Sequence, residues 1–283
     1  MHIVTQESKS LLEVLASLSP ESSKTTLRSW LKDGRITVDG QIVKQGNVVV
    51  EKGQKVALGA KVQLMGGGIQ IIYEDKHFVA IEKPQGLLSV ATAFEKGDTA
   101  HGILKKYYHP RKVYVVHRLD QDTSGVMLFA LSEEGYEGLK KLFEVHSIER
   151  SYCAVVEKRL DPPSGTWESH LYEDSQYVVH STDDPTFGRI AITHYSTRKS
   201  TPRYSLLDLK LETGRKNQIR VHCNDHGHPV VGDKKYGASS DPIHRLCLHA
   251  QLIAFKHPVT HKEMRFESPP PPSFERLVGG THA

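Results

Sequence analysis

The chain has 283 residues, 38% of them hydrophobic, enough for one large domain or two unequal ones with a proper core. A formal net charge of +4 is too mild to announce a nucleic-acid partner by itself, and three scattered cysteines, Cys153, Cys223 and Cys247, exclude a disulfide framework and fit a reducing compartment. The opening residues lack a basic-then-apolar leader and no apolar run reaches the length of a membrane span, so a cytoplasmic protein without a membrane partner is the expectation.

Residues 8–18 carry Leu11, Leu12, Val14, Leu15 and Leu18 at helical spacing, stopped by Ser19-Pro20. The pattern repeats over 25–33 with Leu27, Trp30 and Leu31, and Gly34 stands where a helix C′ glycine belongs. Residues 35–38, the turn pair Asp39-Gly40 and residues 41–43 predict a hairpin. Further strands are predicted around 48–50 and 55–58, and Met65-Gly66-Gly67-Gly68 reads as a flexible linker. Residues 1–64 hold nine basic and six acidic residues, a net of +3 that leaves +1 for the other 219. Lys24, Arg28 and Lys32, spaced i, i+4 and i+8, share one helix face, and Arg35 follows. By charge alone this is a solvated surface. Helix, helix and the run LKDGRITVDGQIV together resemble the small RNA-binding domain named after ribosomal protein S-four, also called the α-L motif. The resemblance implies that Lys24, Arg28, Lys32 and Arg35 meet RNA phosphates. Ser8-Lys9-Ser10 departs from the basic residue that often opens the first helix, which implies a weaker RNA affinity.

Strands are predicted at 69–73 and 78–81 around the turn 74–77, then Lys83-Pro84-Gln85-Gly86, a rigid turn with a supporting role. A loop fills 87–97. Asp98 is expected to cap a helix ending at Tyr108, with Ile103, Leu104 and Tyr107 on one side. Two apolar strands, 113–116 and 126–131, bracket His117-Arg118-Leu119-Asp120-Gln121-Asp122-Thr123-Ser124-Gly125. A polar loop held at the ends of sheet strands is where rigid scaffolds carry chemistry. Asp120 and Asp122 offer carboxylates there, and His117 and Arg118 offer partners. Ser132 caps the next helix, striped with Leu139, Leu142 and Phe143. A strand over 150–156 contains Tyr152, by itself an ordinary core tyrosine. Residues 157–200 read as short strands without chemistry. The alternation over 203–211 leads into ETGRKNQIRVH at 212–222, a strand-to-helix corner, with Gly227 closing the helix. His222, Cys223, His226 and His228 cluster without zinc-motif spacing, so no metal is expected. No nucleophile elbow or glycine-rich phosphate loop is present. Ser268-Pro269-Pro270-Pro271-Pro272-Ser273 reads as an extended surface tail.

HRLDQDTSG resembles the signature of the RluA-type pseudouridine synthases, which isomerise uridine in RNA to pseudouridine. Lys83-Pro84-Gln85-Gly86, the Arg-x-Tyr-x-Ala context of Tyr152, the TGRxxQIRxH run, HPVVGDKKYG at 228–237 and LCLHA at 246–250 match further motifs in family order. The resemblance implies an α+β fold: a pseudouridine synthase domain over 69–283 on a mainly antiparallel mixed sheet, an S-four-like domain over 1–64 and a linker at 65–68. It implies that Asp120 either attacks C1′ of the ribose or removes the 2′ proton, a choice the residues leave open. Tyr152 would stack on the target base and relay a proton, and Arg220 would hold Asp120 ionised and oriented, since an opposite charge nearby favours the charged form. Arg118 would fill the space of the flipped base, Ile219 would pack against that base, and Arg215 and Lys216 would meet phosphate. Asn217 stands where the family has histidine and cannot take a positive charge, so a phosphate or backbone contact there is altered. Asp122 reads as a turn residue.

The reaction needs no redox change, added group or hydrolytic water, so no cofactor is expected. The domain order resembles members that modify large-subunit ribosomal RNA. The expected partner is that RNA or its assembly precursor, with the protein acting as a monomer; transfer RNA is the alternative. A non-catalytic ribosome-assembly protein is opposed by intact Asp120, Tyr152 and Arg220. A glycosidase using Asp120 with Asp122 is opposed by two carboxylates too close on one loop to straddle a bond.

Overall fold

The computed structural model describes residues 2–59, 65–91 and 98–279, without the side chains of 41 and 42; positions 92–97 of the expected loop lie outside the described residues. The chain divides into two compact units, Met1–Leu64 and Met65–Ala283. No described helix is long and apolar enough to cross a membrane.

The first unit runs β1 (His2–Val4), β2 (Lys9–Ser10), α1 (Leu11–Leu18), α2 (Lys24–Lys32), β3 (Ile36–Val38), β4 (Gln41–Ile42), β5 (Val49–Val50) and β6 (Lys55–Leu58). Helix α1 begins later than its apolar spacing suggests because Ser10 is the N-cap, with the Glu13 carboxylate accepting from the Ser10 N–H at 2.9 Å. Lys9 and Ser10 pair with β5 instead. Asp39 and Gly40 have φ of 49° and 81°, the two positive values of a turn that matches the twist of a tight hairpin. Leu11, Val14 and Leu15 of α1 and Leu27 and Leu31 of α2 pack on Ile36, Val50 and Val56. Burying Leu27 and Leu31 leaves Lys24, Arg28 and Lys32 on the exposed side of α2.

The second unit runs β7 (Gln70–Glu74), β8 (Phe78–Lys83), α3 (Ala100–Tyr108), β9 (Tyr114–Val115), β10 (Ser124–Ala130), α4 (Glu133–Glu144), β11 (Glu149–Glu157), β12 (Ser164–Glu173), β13 (Val179–Thr182), β14 (Arg189–Ser200), β15 (Tyr204–Leu211), α5 (Gln218–Asp225), β16 (Leu248–Lys256), β17 (Glu263–Glu267) and α6 (Pro272–Val278). Its sheet has the order β13-β12-β14-β15-β11-β16-β10-β8-β7, with β17 added to β16 and β9 to β10. All pairings are antiparallel except β10 with β16. Alternate residues of β8 and β10 feed opposite faces. Val79, Ile81, Met127 and Phe129 pack with Ala100, Leu104 and Tyr108 of α3, whereas Phe78, Ala80, Val126, Leu128 and Ala130 pack with Leu139 of α4. A strand covered on both sides has to be apolar throughout, which is why β10 shows no alternation.

Four local expectations need correction. Gly66–Gly68 form a 3-10 turn, and Met65 packs on the α3 core, so this run is folded rather than a free linker. Thr99, not Asp98, caps α3: its hydroxyl accepts from Gly102 N at 3.0 Å, and Tyr108 rather than Tyr107 turns inward. Strands β12 and β14 are long, at 10 and 12 residues, where the sequence predicts short strands; their length is concealed there because only Ala191, Thr193 and Tyr195 on one face of β14 are buried and the apolar signal is thin. The proline-rich end is not a surface tail. Pro272 starts α6, where its missing N–H costs nothing, and Phe274 and Val278, one turn apart, are completely buried against the β11–β15 core. Burial of two such side chains is worth about 2 kcal/mol each.

Candidate active site

The polar stretch at 117–123 enters β10 beside the single parallel seam of the sheet. Gly125 has φ of 117°, and a Cβ there would strike the Ala250 backbone of β16, so this strand start can come so close only with glycine. Upstream, inward and outward residues alternate. His117 accepts the Leu128 N–H on Nε2 at 2.9 Å and stacks on Phe143, with ring centroids 4.8 Å apart. That bond requires the neutral ring, and burial, with the nearby Arg150 charge, pulls its pKa down to about 3. Leu119 is buried and exchanges backbone hydrogen bonds with the Ser89 hydroxyl, at 2.6 and 3.1 Å. Arg118 and Asp120, the alternate residues, line the cleft.

The loop is pinned a second time by Lys83. This lysine is completely buried, and its ammonium donates to three backbone carbonyls, Pro84, Leu87 and Gln121, at 2.7–3.0 Å. Burial pulls its pKa down to about 8 even though Asp122 and Asp120 favour the charge. The Lys-Pro-x-Gly stretch is therefore a charged clamp on the loop as well as a turn.

Opposite the loop stands the corner between β15 and α5. The Gln218 carbonyl accepts from the Thr213 hydroxyl and from Arg215 N at 2.8 and 3.0 Å, while its amide donates to Ile192 O and Thr193 Oγ1. These bonds hold the first turn of α5, which presents Arg220. The guanidinium is shared unequally. Its Nε and Nη2 donate to both oxygens of Asp233 at 2.6 and 2.8 Å, while Nη1 donates to Asp120 Oδ2 at 3.3 Å and Asn217 Oδ1 at 3.2 Å. Burial opposes the Arg220 charge, but Asp233 and then Asp120 outweigh it and raise its pKa. The Tyr236 ring lies 4.9 Å from the guanidinium, and its hydroxyl accepts from Asn217 Nδ2 at 2.9 Å.

Asp233 and Tyr236 come from HPVVGDKKYG, which reads as a turn in the sequence; nothing local links Asp233 to an arginine thirteen residues earlier. Asn217 is also redefined. It is buried, adopts the left-handed backbone that asparagine tolerates, and spends its amide on Arg220 and Tyr236 rather than on a phosphate.

Arg118, Asp120, Asp122, Tyr152, Arg215, Lys216 and Arg220 all line one cleft of about 1090 Å³, a size suited to a ligand site. Ile219 lines a small adjoining pocket of about 60 Å³ together with Arg118, Asp120, Tyr152 and Arg220. Tyr152 stands at a register shift of β11 against β16, a device that re-aims side chains beside functional sites. Burial raises the pKa of its phenol, with Asp120 adding to the effect and Arg150 opposing it, so it stays protonated and able to donate. Arg118 is exposed and makes no hydrogen bond or ion pair among the described residues. Arg215 donates to Ile190 O at 3.0 Å, and Lys216 pairs with Glu173. In the first unit Arg35 is occupied as well: it donates to Gly59 O at 3.2 Å and lies over Trp30. No group of His, Cys, Asp and Glu among the described residues is arranged to hold a metal. His222 bridges Ser169 and Thr193 hydroxyls instead, at 3.0 and 2.9 Å.

Comparison with known proteins adds family matches, two relatives and a solved structure. Residues 77–225 match the RNA pseudouridylate synthase family, and residues 10–56 match the S4 domain. The chain is 32% identical to the ribosomal large subunit pseudouridine synthase D of Pseudomonas aeruginosa, over 94% of this chain and 90% of that one. It is 32% identical to an uncharacterized RNA pseudouridine synthase of Bacillus subtilis, YhcT, over 96% and 93%. Among solved structures, human RNA pseudouridylate synthase domain containing 4 superposes with a TM-score of 0.60 at 24% identity, covering 72% of this chain and 90% of that one, a likeness of fold.

Proposed function

The chain belongs to the RNA pseudouridylate synthase family and isomerises uridine to pseudouridine in RNA; from there we propose that Asp120, Tyr152 and Arg220 carry the chemistry and that the substrate is large-subunit ribosomal RNA. The reaction breaks the N1–C1′ bond, turns the uracil and joins C5 to C1′, while a proton leaves C5 and N1 gains one. The balance closes without a cofactor. Positive charge develops on the sugar, so a carboxylate must face C1′, whether it attacks that carbon or takes the 2′ proton. The observation that carries the reading is the placement of Asp120: in the cleft, beside Tyr152, against a guanidinium that Asp233 locks from behind.

Taking the uridine from its stack costs a few kcal/mol. Stacking on the Tyr152 face returns about 1–3 kcal/mol, so the two nearly balance, and Arg118 entering the vacated space tips them. Ile219 contacts the base edge, and Arg215 and Lys216 meet the strand backbone. Lys216 can do so by leaving Glu173. The S4 unit, an RNA-binding domain by family, holds structured RNA through Lys24, Arg28 and Lys32, with Arg35 bracing its own unit. The choice of ribosomal RNA rests on the relative from Pseudomonas aeruginosa, which aligns over nearly the whole chain. A monomer in the cytoplasm, where ribosomes are assembled, completes the reading.

The test is isomerisation of unmodified transcripts of large-subunit ribosomal RNA and of transfer RNAs, with Asp120→Ala as control. Pseudouridine is expected in the ribosomal transcript alone and from the wild type alone. Retained activity in Asp120→Ala defeats the catalytic assignment, and modification confined to transfer RNA defeats the choice of substrate.

A further inference from the structure

Two of the guanidiniums that line the cleft are treated in opposite ways. Arg220 makes four hydrogen bonds, three of them to two carboxylates. Arg150, two residues before Tyr152 on β11, makes one, a long bond of 3.3 Å from Nη2 to Glu212 O. Its Nε is buried with no partner among the described residues. No carboxylate pairs with it there either, although several stand near it in sequence or across the strand. Glu149 is committed to Lys210 at 3.0 Å, and the Glu212 carboxylate to His194 at 2.6 Å. The guanidinium lies 5.9 Å from the Phe143 ring, and Gly214 of the TGR corner leaves the space it occupies: a Cβ there would collide with Arg150 Nη1. Burial works against this charge and lowers its pKa, with only the Tyr152 phenol offsetting the effect.

A half-buried cation without a counter-ion is unfavourable in the RNA-free protein. Both Arg150 and Tyr152 line the same cleft wall. We propose that Arg150 is an anion-binding residue of this cleft and takes a backbone phosphate of the RNA strand that delivers the target uridine. The proposal rests on the reading of the cleft as the uridine site. A guanidinium suits the task, since it offers parallel N–H donors to two oxygens of one phosphate. The unsatisfied Nε and the poorly satisfied Nη2 sit on one edge of the group; Nε is buried in the RNA-free protein, so the two-point contact forms when the guanidinium swings into the cleft and gives up its single long bond to Glu212 O. The missing carboxylate is then the functional feature: an internal ion pair at Arg150 would have to break each time RNA entered.

The test uses the full chain with Arg150→Met and Arg150→Lys. Binding of a short oligouridylate is followed by fluorescence anisotropy at several salt concentrations, alongside thermal melts without RNA. Arg150→Met is expected to bind roughly 10-fold more weakly, with a salt slope shallower by about 0.7, the share of one phosphate on a single strand. Its RNA-free Tm is expected to equal or exceed that of the wild type, an outcome that a purely structural arginine does not give. Arg150→Lys should restore the salt slope. In an active transcript, Arg150→Met should raise KM more than it lowers kcat. A Met variant with wild-type affinity and salt slope but a lower Tm would overturn the proposal. Because binding is read without catalysis, a wild type that binds through Arg150 yet isomerises nothing would refute the assigned chemistry and leave this site standing.

Discussion

Arg220 in the cleft and Arg28 on α2 are the same side chain in two settings. Arg220 is half-buried, and its orientation is fixed by Asp233, with Asn217 and Tyr236 bracing it. Arg28 is exposed, as are Lys24 and Lys32, and none of the three has an ion pair among the described residues. The difference matches the tasks proposed for them. A group that orients the carboxylate facing a developing charge must already be fixed, because reorganisation at the moment of reaction adds to the barrier. A group that replaces counter-ions along a phosphate chain needs only to be in the right region, and freedom to move costs it little.

This contrast can be broken at its strongest point first. Asp120→Asn should lower single-turnover isomerisation by about 10³-fold or more while RNA affinity measured by filter binding stays within a few-fold. Asp233→Asn should lower kcat by about 10²-fold although Asp233 touches no substrate, since Arg220 then loses its bidentate anchor. A wild-type rate in that variant would mean that fixation is not what separates the cleft from the helix. Lys83→Ala should cost about 3 kcal/mol or more in chemical denaturation, because three carbonyls of the loop lose their common donor.

A fourth prediction concerns acid. His222 and His249 are buried and held neutral, with pKa values pulled down to about 4, first of all by burial. The unfolded chain takes up protons below about 6.5 that the native state refuses. Their stabilising contribution is therefore complete above that pH and is lost as the pH falls toward 4. Each histidine contributes a slope of up to about 1.4 kcal/mol per pH unit in that window. The first unit has a single histidine, the exposed His2. Thermal melts between pH 7 and 4 should accordingly show the large unit losing stability steeply, and equal pH dependence in both units would contradict the assignment. The smallest effect on chemistry belongs to the helix. Changing Lys24, Arg28 and Lys32 together to glutamine should leave kcat near wild type, weaken binding of structured RNA and flatten its salt dependence by about 0.9 for each duplex phosphate no longer neutralised. A fall in kcat at saturating RNA would show that the helix charges do more than hold.

The amino-acid sequence alone determined most of the local structure. Apolar spacing placed α1, α2 and α4, because periodicity states directly which face of an element must be buried; the turn pair Asp39-Gly40 placed the hairpin, and the strand-to-helix corner with Gly227 placed α5. Motif order singled out Asp120, Tyr152 and Arg220, and with them Arg118, Arg215, Lys216 and Ile219, but not Arg150. Where composition misled, tertiary burial decided: the proline run became α6 because Phe274 and Val278 found a core to fill. The partners of buried charges were decided by tertiary structure alone. Asp233 behind Arg220, Gln121 O over Lys83 and the missing counter-ion of Arg150 all depend on which strands lie side by side. A periodic pattern records that a side chain is inside, whereas the group it meets there is set by the path of the chain through the sheet.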